Sequence, residues 1–413
     1  MRDIDSVRSR FPSLEQVMDG RPVVFFDNPG GTQVPQTVID AVDGYLLRDN
    51  ANLGGAYATS ERSDAMVDEA RRAMADMLGA PSPNEIVFGL NMTTLAFTIS
   101  RSLSGWVNPG DEIIVTRLDH DANISPWLLL ARERGARVRW LDIEPEDCTL
   151  RLSDFENRLS DRTKVVACGY ASNSVGTVND VKAIATMSHS VGALVFVDAV
   201  HYAPHGPIDV QALDCDFLFC SAYKFFGPHV GMLWGKTHLL QRLPACKVRP
   251  APDQPPRKFE TGTQNHEAIA GTLAAVEYLA SLGDAQGSMD RRGKVLEGMR
   301  LIQEYERGLC DHLLRGLIEV KGLTVYGIAD PDRMDQRVPT VSFRLDGFTP
   351  FQLAAHLGDR GIFVWHGNYY APALTQRLGL EDLGGMVRVG LVHYNTTEEV
   401  DRLLEELHRL TGS

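Results

Sequence analysis

Between about residues 85 and 235 the chain alternates short apolar runs with stretches of helical pattern, and this rhythm constrains the fold more than any other feature. The runs are Ile86–Phe88, Glu112–Thr116, Arg137–Leu141, Lys164–Cys168, Ala193–Val197, Asp216–Cys220 and Val230–Trp234. Most are rich in Val, Ile or Phe, and the clearest read as strands buried on both faces. Amphipathic segments fall between several of them, for example Ser125–Arg134 and Val181–Val191, the second with Asn179 or Asp180 as N-cap. Strands alternating with helices build a mostly parallel sheet with helices on both faces. In such a sheet ligands bind beyond the carboxyl ends of the strands.

The pattern breaks at Arg249–Arg257, which is polar and proline-rich and reads as an ordered loop. Helical stretches follow at Glu267–Ser281 and Arg291–Gly316. The remainder mixes strands (Leu323–Tyr326, Pro339–Leu345, Gly361–Trp365, Met386–Gly390) with helices at Pro350–Arg360 and Glu398–Leu410, as a smaller α+β domain does. A chain of 413 residues exceeds the usual size of one core. The expected division is a large domain over 26–285 and a small one over 286–413, joined by the N-terminal segment 1–25.

The net charge of −13 argues against nucleic-acid or anionic-membrane partners, though not against small anions, which a local pocket can hold. The N-terminus is polar without an apolar signal core, and no apolar run approaches a membrane span. The six cysteines show neither a CxxC pair nor zinc-ligand spacing, and Cys168 and Cys220 sit in apolar runs as inert buried thiols. Together these features point to a reducing, cytoplasmic compartment.

Ionisable groups gather after the strands. Glu112–Thr116 is followed by Asp119 and His120, Lys164–Cys168 by Asn173, Ala193–Val197 by Asp198 and His201, and Asp216–Cys220 by Ser221 and Lys224. One sheet edge thus collects a set suited to pyridoxal 5′-phosphate (PLP). A lysine in an apolar pocket offers a neutral amine. A carboxylate opposite the pyridine nitrogen keeps it protonated, a flat ring stacks on the cofactor, and a helix N-terminus with nearby hydroxyls holds the phosphate. Lys224, Asp198, His120, the Asn91–Thr94 turn and Ser221 match these needs in order.

The chain resembles the class V aminotransferase group of fold-type I PLP enzymes, most of all the cysteine desulfurase/selenocysteine lyase branch. Phe26–Gln33, Asp119–Trp127, Ser172–Thr177, Val197–His201, Ser221–Pro228, Phe259–Thr263 and Val387–Thr396 carry the resemblance almost end to end. It implies a seven-stranded mostly parallel sheet with a smaller α+β domain, and a homodimer with sites at the subunit interface. It implies that Lys224 holds the cofactor as a Schiff base, Asp198 pairs with the pyridine nitrogen and His120 stacks on the ring. Asn173 would lie near the phenolic oxygen. Met92, Thr93 and Ser221 would serve the phosphate, and Thr263 that of the partner subunit. Arg388 would clamp the substrate carboxylate.

Four departures alter the substrate side. Desulfurases carry a sulfur-accepting cysteine on a mobile loop before this arginine, whereas Gly361–Pro372 has none. Tyr223 stands where histidine usually precedes the lysine. His201 stands where glutamine usually follows the aspartate, and could still donate to the phenolic oxygen. The loop Asn50–Tyr57 lacks its usual His-Arg pair and is one residue shorter. Tyr57, Trp365, His366, Tyr369 and Tyr370 would form an aromatic substrate pocket. The expected activity is β-elimination, of the C–S lyase type, on a cysteine-like or cysteine-conjugate amino acid without an enzyme persulfide. An aminotransferase or racemase/epimerase, a desulfurase with a relocated thiol and a non-catalytic PLP-binding protein stand as alternatives.

Overall fold

The computed structural model describes residues 3–283, 287 and 289–412. All seven apolar runs are strands of one sheet: β1 Ile86–Gly89, β2 Glu112–Thr116, β3 Arg137–Leu141, β4 Thr163–Gly169, β5 Leu194–Asp198, β6 Phe217–Ser221 and β7 Gly231–Gly235. Their order across the sheet is β1-β7-β6-β5-β4-β2-β3, with β7 antiparallel to both neighbours and the other strands running one way.

Most of the runs are apolar because both faces are covered, the edge strand β3 with its two arginines excepted. Phe88, Ile114, Val166, Val197 and Leu218 pack into one core. Their alternates Val87, Ile113, Val165, Phe196 and Phe219 pack into another on the opposite face. Removing each such side chain from water stabilises the fold by roughly 1.5–3 kcal/mol. Glu112 is a buried charge within β2, and Arg139 on β3 meets it at 2.6 Å.

The small sheet is antiparallel, in the order β8-β9-β11-β10, from β8 Leu323–Tyr326, β9 Thr340–Leu345, β10 Trp365–Gly367 and β11 Met386–Gly390. Val341, Phe343, Val387 and Val389 share a third core with Leu309, Leu313, Leu403 and Leu407. The helices that matter below are α1 Ala58–Leu78, α2 Met92–Ser102, α3 His266–Gly283, α4 Arg291–Glu319, α5 Pro350–Gly358 and α6 Thr397–Thr411. The expected domain boundary at 285/286 lies outside the described residues.

One expected strand is not continuous. Gly361–Trp365 changes partner at Val364: Ile362–Phe363 pairs in parallel with Val24–Phe25, while Trp365–Gly367 pairs with β11. The first pairing lies beside Val24 and Phe26, which share the core of the small sheet. The second turns the chain back toward the large sheet.

Candidate active site

The carboxyl edge of the large sheet opens into a cavity of about 750 Å³ that the small sheet closes from the other side. The crossing at its floor is tight. Gly231 opens β7 directly beneath Asn91, where a Cβ would collide with the Asn91 backbone. This close approach, together with the Ser221–Gly231 register, brings Ser221 under the start of α2. Asn91 caps α2 by accepting from the Thr94 N–H at 2.8 Å, and Met92 N–H donates to Ser221 Oγ at 3.3 Å. The Thr93 N–H has no partner among the described residues. A helix start of this kind is an anion site.

Lys224 follows β6 and turns its Nζ onto the Pro29 carbonyl oxygen, 4.6 Å from the centre of the Tyr223 ring. Burial, with the Arg388 charge acting in the same direction, brings its amine down to about 7 against the opposing pull of Asp198 and Asp27. Asp198 ends β5. Burial raises its carboxyl to about 7; the Val200 N–H bond at 2.9 Å opposes this, and the neighbouring Asp119 adds to it. Asp198 is a buried acid to which no cation binds directly among the described residues.

His120 accepts the Ala122 N–H on Nδ1 at 3.0 Å, so the neutral ring carries its proton on Nε2. Burial and the Lys224 charge bring it down to about 4. The Tyr370 ring stacks on it at 5.6 Å and 19°. His201, also buried, has Nε2 at 2.9 Å from Thr340 Oγ1, and burial holds it well below its usual pKa.

From β11, Arg388 donates Nη1 to the Asn173 carbonyl oxygen at 2.7 Å, and its guanidinium lies 4.3 Å from the centre of the Tyr369 ring. Burial lowers it to about 10, and its Nε has no partner. Asn173 gives one Nδ2 hydrogen to the Tyr369 carbonyl at 2.9 Å and leaves Oδ1 buried and unpartnered.

The loop Asn368–Ala371 is held at several points. The Tyr370 carbonyl accepts from Asp121 N–H at 2.7 Å, Tyr369 Oη donates to the Met386 carbonyl, and Asn368 Nδ2 reaches Glu381 Oε1 at 2.8 Å. Tyr369 and Tyr370 both lie in the left-handed backbone region, at φ +56° and +58°. Each such residue costs roughly 1–3 kcal/mol that its surroundings must offset.

Of the residues expected at the site, Lys224, Asp198, His120, Met92, Thr93, Asn173, His201, Ser221, Arg388, His366 and Tyr369 all line this cavity, with Trp365 and Tyr370. Tyr57 does not. It is 55% exposed at the N-cap of α1, because its loop folds back on that helix through Gly55 N–H to Ser60 Oγ (2.7 Å) and Ser60 Oγ to the Asn52 carbonyl (2.6 Å). Thr263 stands exposed before α3, outside its own chain's cavity.

Two carboxylates were not singled out from the sequence. Asp119 lines the cavity and accepts from Thr116 Oγ1, Gly169 N–H and Asn123 Nδ2, and burial still raises it to about 6. Its place between a strand end and His120 was the available signal. Asp27 keeps Oδ1 buried and unpartnered; burial raises its carboxyl against its own backbone N–H and the charges of Arg388 and Lys224. No cysteine lines the cavity among the described residues. Five are buried, and Cys246 is exposed in the loop after β7.

A family model described as Aminotransferase class-V matches residues 24–403. The chain belongs to that family. An aminotransferase-like protein of Gibberella zeae is 36% identical over 420 residues, covering 98% of this chain and 97% of that protein. A cysteine desulfurase of Synechococcus elongatus is 35% identical over 426 residues, covering 100% of this chain but only 64% of that longer protein. The apo structure of a cysteine desulfurase from Thermococcus onnurineus matches with a TM-score of 0.89 at 27% identity, over 100% of this chain and 99% of that one.

The architecture is the fold-type I PLP transferase fold, and the class-V chain described here is a PLP-dependent enzyme. Its residues fit that cofactor. The Lys224 amine, lowered to about 7, the Asp198 carboxyl, the open Thr93 N–H and the unpartnered Asn173 Oδ1 all face one cavity, where the cofactor would give each a partner.

Proposed function

We propose that this enzyme catalyses β-elimination on a cysteine-like or cysteine-conjugate amino acid, a C–S lyase reaction that uses no enzyme persulfide. The observation that carries the reading is the pinned, cysteine-free loop Asn368–Ala371 at the position where desulfurases present a mobile thiol.

Lys224 would hold PLP covalently, and Asp198 would keep a proton at the pyridine nitrogen. His120 would serve as the flat ring against the cofactor, with Asn173 and His201 for its phenolic oxygen. Met92, Thr93 and Ser221 would bind the phosphate, while Thr263 would serve the partner subunit's phosphate in a homodimer. When bound, PLP supplies a sink for the electron pair left on the substrate's α-carbon. With PLP bound, the Lys224 amine would take the α-proton. Arg388 grips the α-carboxylate through Nε and its free Nη group. The Cα–H pair becomes the Cα–Cβ double bond, and the Cβ–S pair leaves on sulfur, which gains a proton from solvent. Water then converts the enamine to pyruvate and ammonia. No oxidant or reductant is needed, and on this reading the enzyme acts in the cytoplasm.

Cys246→Ser removes the one exposed thiol among the described residues. The variant is expected to release thiol and pyruvate in equal amounts at the wild-type rate, with no trapped persulfide. Loss of turnover in this variant, with a persulfide trapped on wild-type Cys246, would make the protein a desulfurase with a relocated thiol. Amino transfer to a keto acid without thiol release would make it an aminotransferase.

A further inference from the structure

The wall that the small domain adds to the cavity is aromatic and open to solvent, and no step described above uses it. Trp365 is 49% exposed and Tyr370 75%, although both line the active-site cavity. Neither ring is loosely held. The Trp365 indole lies on Gly30, where a Cβ would strike its Nε1. Tyr370 stacks on His120 and is tied through its carbonyl to Asp121 N–H. Its left-handed backbone, next to that of Tyr369, is the kind of strain found at ligand clamps. Rings fixed in this way at a cavity mouth mark a ligand surface.

We propose that Trp365 and Tyr370 form a subsite for the substituent on the substrate's sulfur, so that the enzyme acts on cysteine thioethers bearing a flat or extended apolar group in preference to free cysteine. The proposal rests on the elimination reading and names its substrate class. In that reading Arg388 takes the carboxylate and Lys224 the α-proton, and the sulfur substituent is the one part of the substrate without an assigned contact. The cavity, at about 750 Å³, lies in the upper part of the range of about 300–1,000 Å³ typical of drug-sized ligands, more than the cofactor and a bare cysteine require. Two aromatic faces favour a flat apolar group over a hydrogen or a methyl.

The test uses 3-(phenylthio)propanoate and 3-(methylthio)propanoate. Both keep the carboxylate and the thioether but lack the α-amine, so neither can bond to the cofactor or react. Binding to the holoenzyme by calorimetry is expected to favour the phenyl compound by roughly tenfold. Tyr370→Ala and Trp365→Ala should each shrink that ratio, while Tyr370→Phe, which keeps a flat ring, should preserve it. Equal affinities in the wild type, or a ratio unmoved by both alanine substitutions, would overturn the subsite. S-phenylcysteine separates the two readings. If the binding preference holds but no thiophenol or pyruvate forms, the elimination reading falls and the subsite stands.

Discussion

Arg388 Nη1 lies 2.7 Å from the carbonyl oxygen of Asn173, and this bond, with His201 Nε2 to Thr340 Oγ1 at 2.9 Å, ties the small sheet to the carboxyl edge of the large one. A neutral carbonyl is a weak counterpart for a buried guanidinium. Arg388 therefore stays short of an anion, with Nε unpartnered and no carboxylate bonded to it among the described residues. The bond that fixes its position leaves most of its binding capacity for a ligand.

Lys224 should be the residue that borohydride fixes to the cofactor. The purified enzyme is expected to be yellow, and peptide mapping after reduction should place the added mass on the peptide containing Lys224. Lys224→Ala should bind PLP reversibly and lose it on dialysis. The added mass on another lysine would sink the site as drawn.

Loading of the cofactor-free enzyme should depend on pH in a narrow window. A lysine amine attacks only when neutral, and burial brings that of Lys224 to about 7. The neutral fraction then rises from about a tenth at pH 6 to about nine tenths at pH 8 and levels off. Stopped-flow absorbance after mixing with PLP should show that plateau. A rate still climbing tenfold per unit at pH 9 would mean an ordinary exposed lysine.

Asp198→Asn should have effects of opposite sign on activity and on stability. Without a carboxylate at the ring nitrogen, kcat should fall by roughly 100- to 1,000-fold, the scale set by removal of one preorganised electrostatic partner. In the cofactor-free protein the same change should stabilise. The folded carboxyl holds its proton up to about 7, while the unfolded one releases it near 4, so stability falls as pH rises between those values. An uncharged Asn escapes that penalty. Cofactor-free Asp198→Asn should therefore melt above the cofactor-free wild type at pH 8 and close to it at pH 4.

The fold was legible because parallel strands buried on both faces need unbroken apolar runs, and β4, β5 and β6 announce themselves as such. Strand order was not, since nothing in Ile86–Gly89 says that it will take the far edge beside an antiparallel Gly231–Gly235. The site was legible where chemistry follows a strand, as with Asp198 and Lys224. It was illegible where the outcome turns on backbone. The carbonyls of Asn173, Tyr369 and Tyr370 position Arg388 and the loop, and any residue has a carbonyl. Tyr57 lies outside its own chain's cavity for the same reason: its loop is tied by backbone groups and Ser60 to its own helix. The individual cofactor roles came from family resemblance, which periodicity alone cannot supply.

Arg388→Lys keeps the charge and should still fail, for geometric reasons. The guanidinium is planar and already committed at Nη1 to Asn173, while its Nε lies unpartnered and its plane rests against Tyr369. That arrangement presents a fork to a carboxylate, which an ammonium cannot reproduce while also reaching Asn173. Losing one charge-assisted hydrogen bond is worth about 1.5–3 kcal/mol, so amino-acid affinity should weaken by roughly 10- to 100-fold. PLP affinity should hardly change, because the phosphate lies at α2 on this reading. Titrating cofactor absorbance with an amino acid separates the two constants. A parallel loss of PLP and substrate affinity would mean that Arg388 props the cavity rather than gripping the carboxylate. Unchanged substrate affinity would place the carboxylate elsewhere.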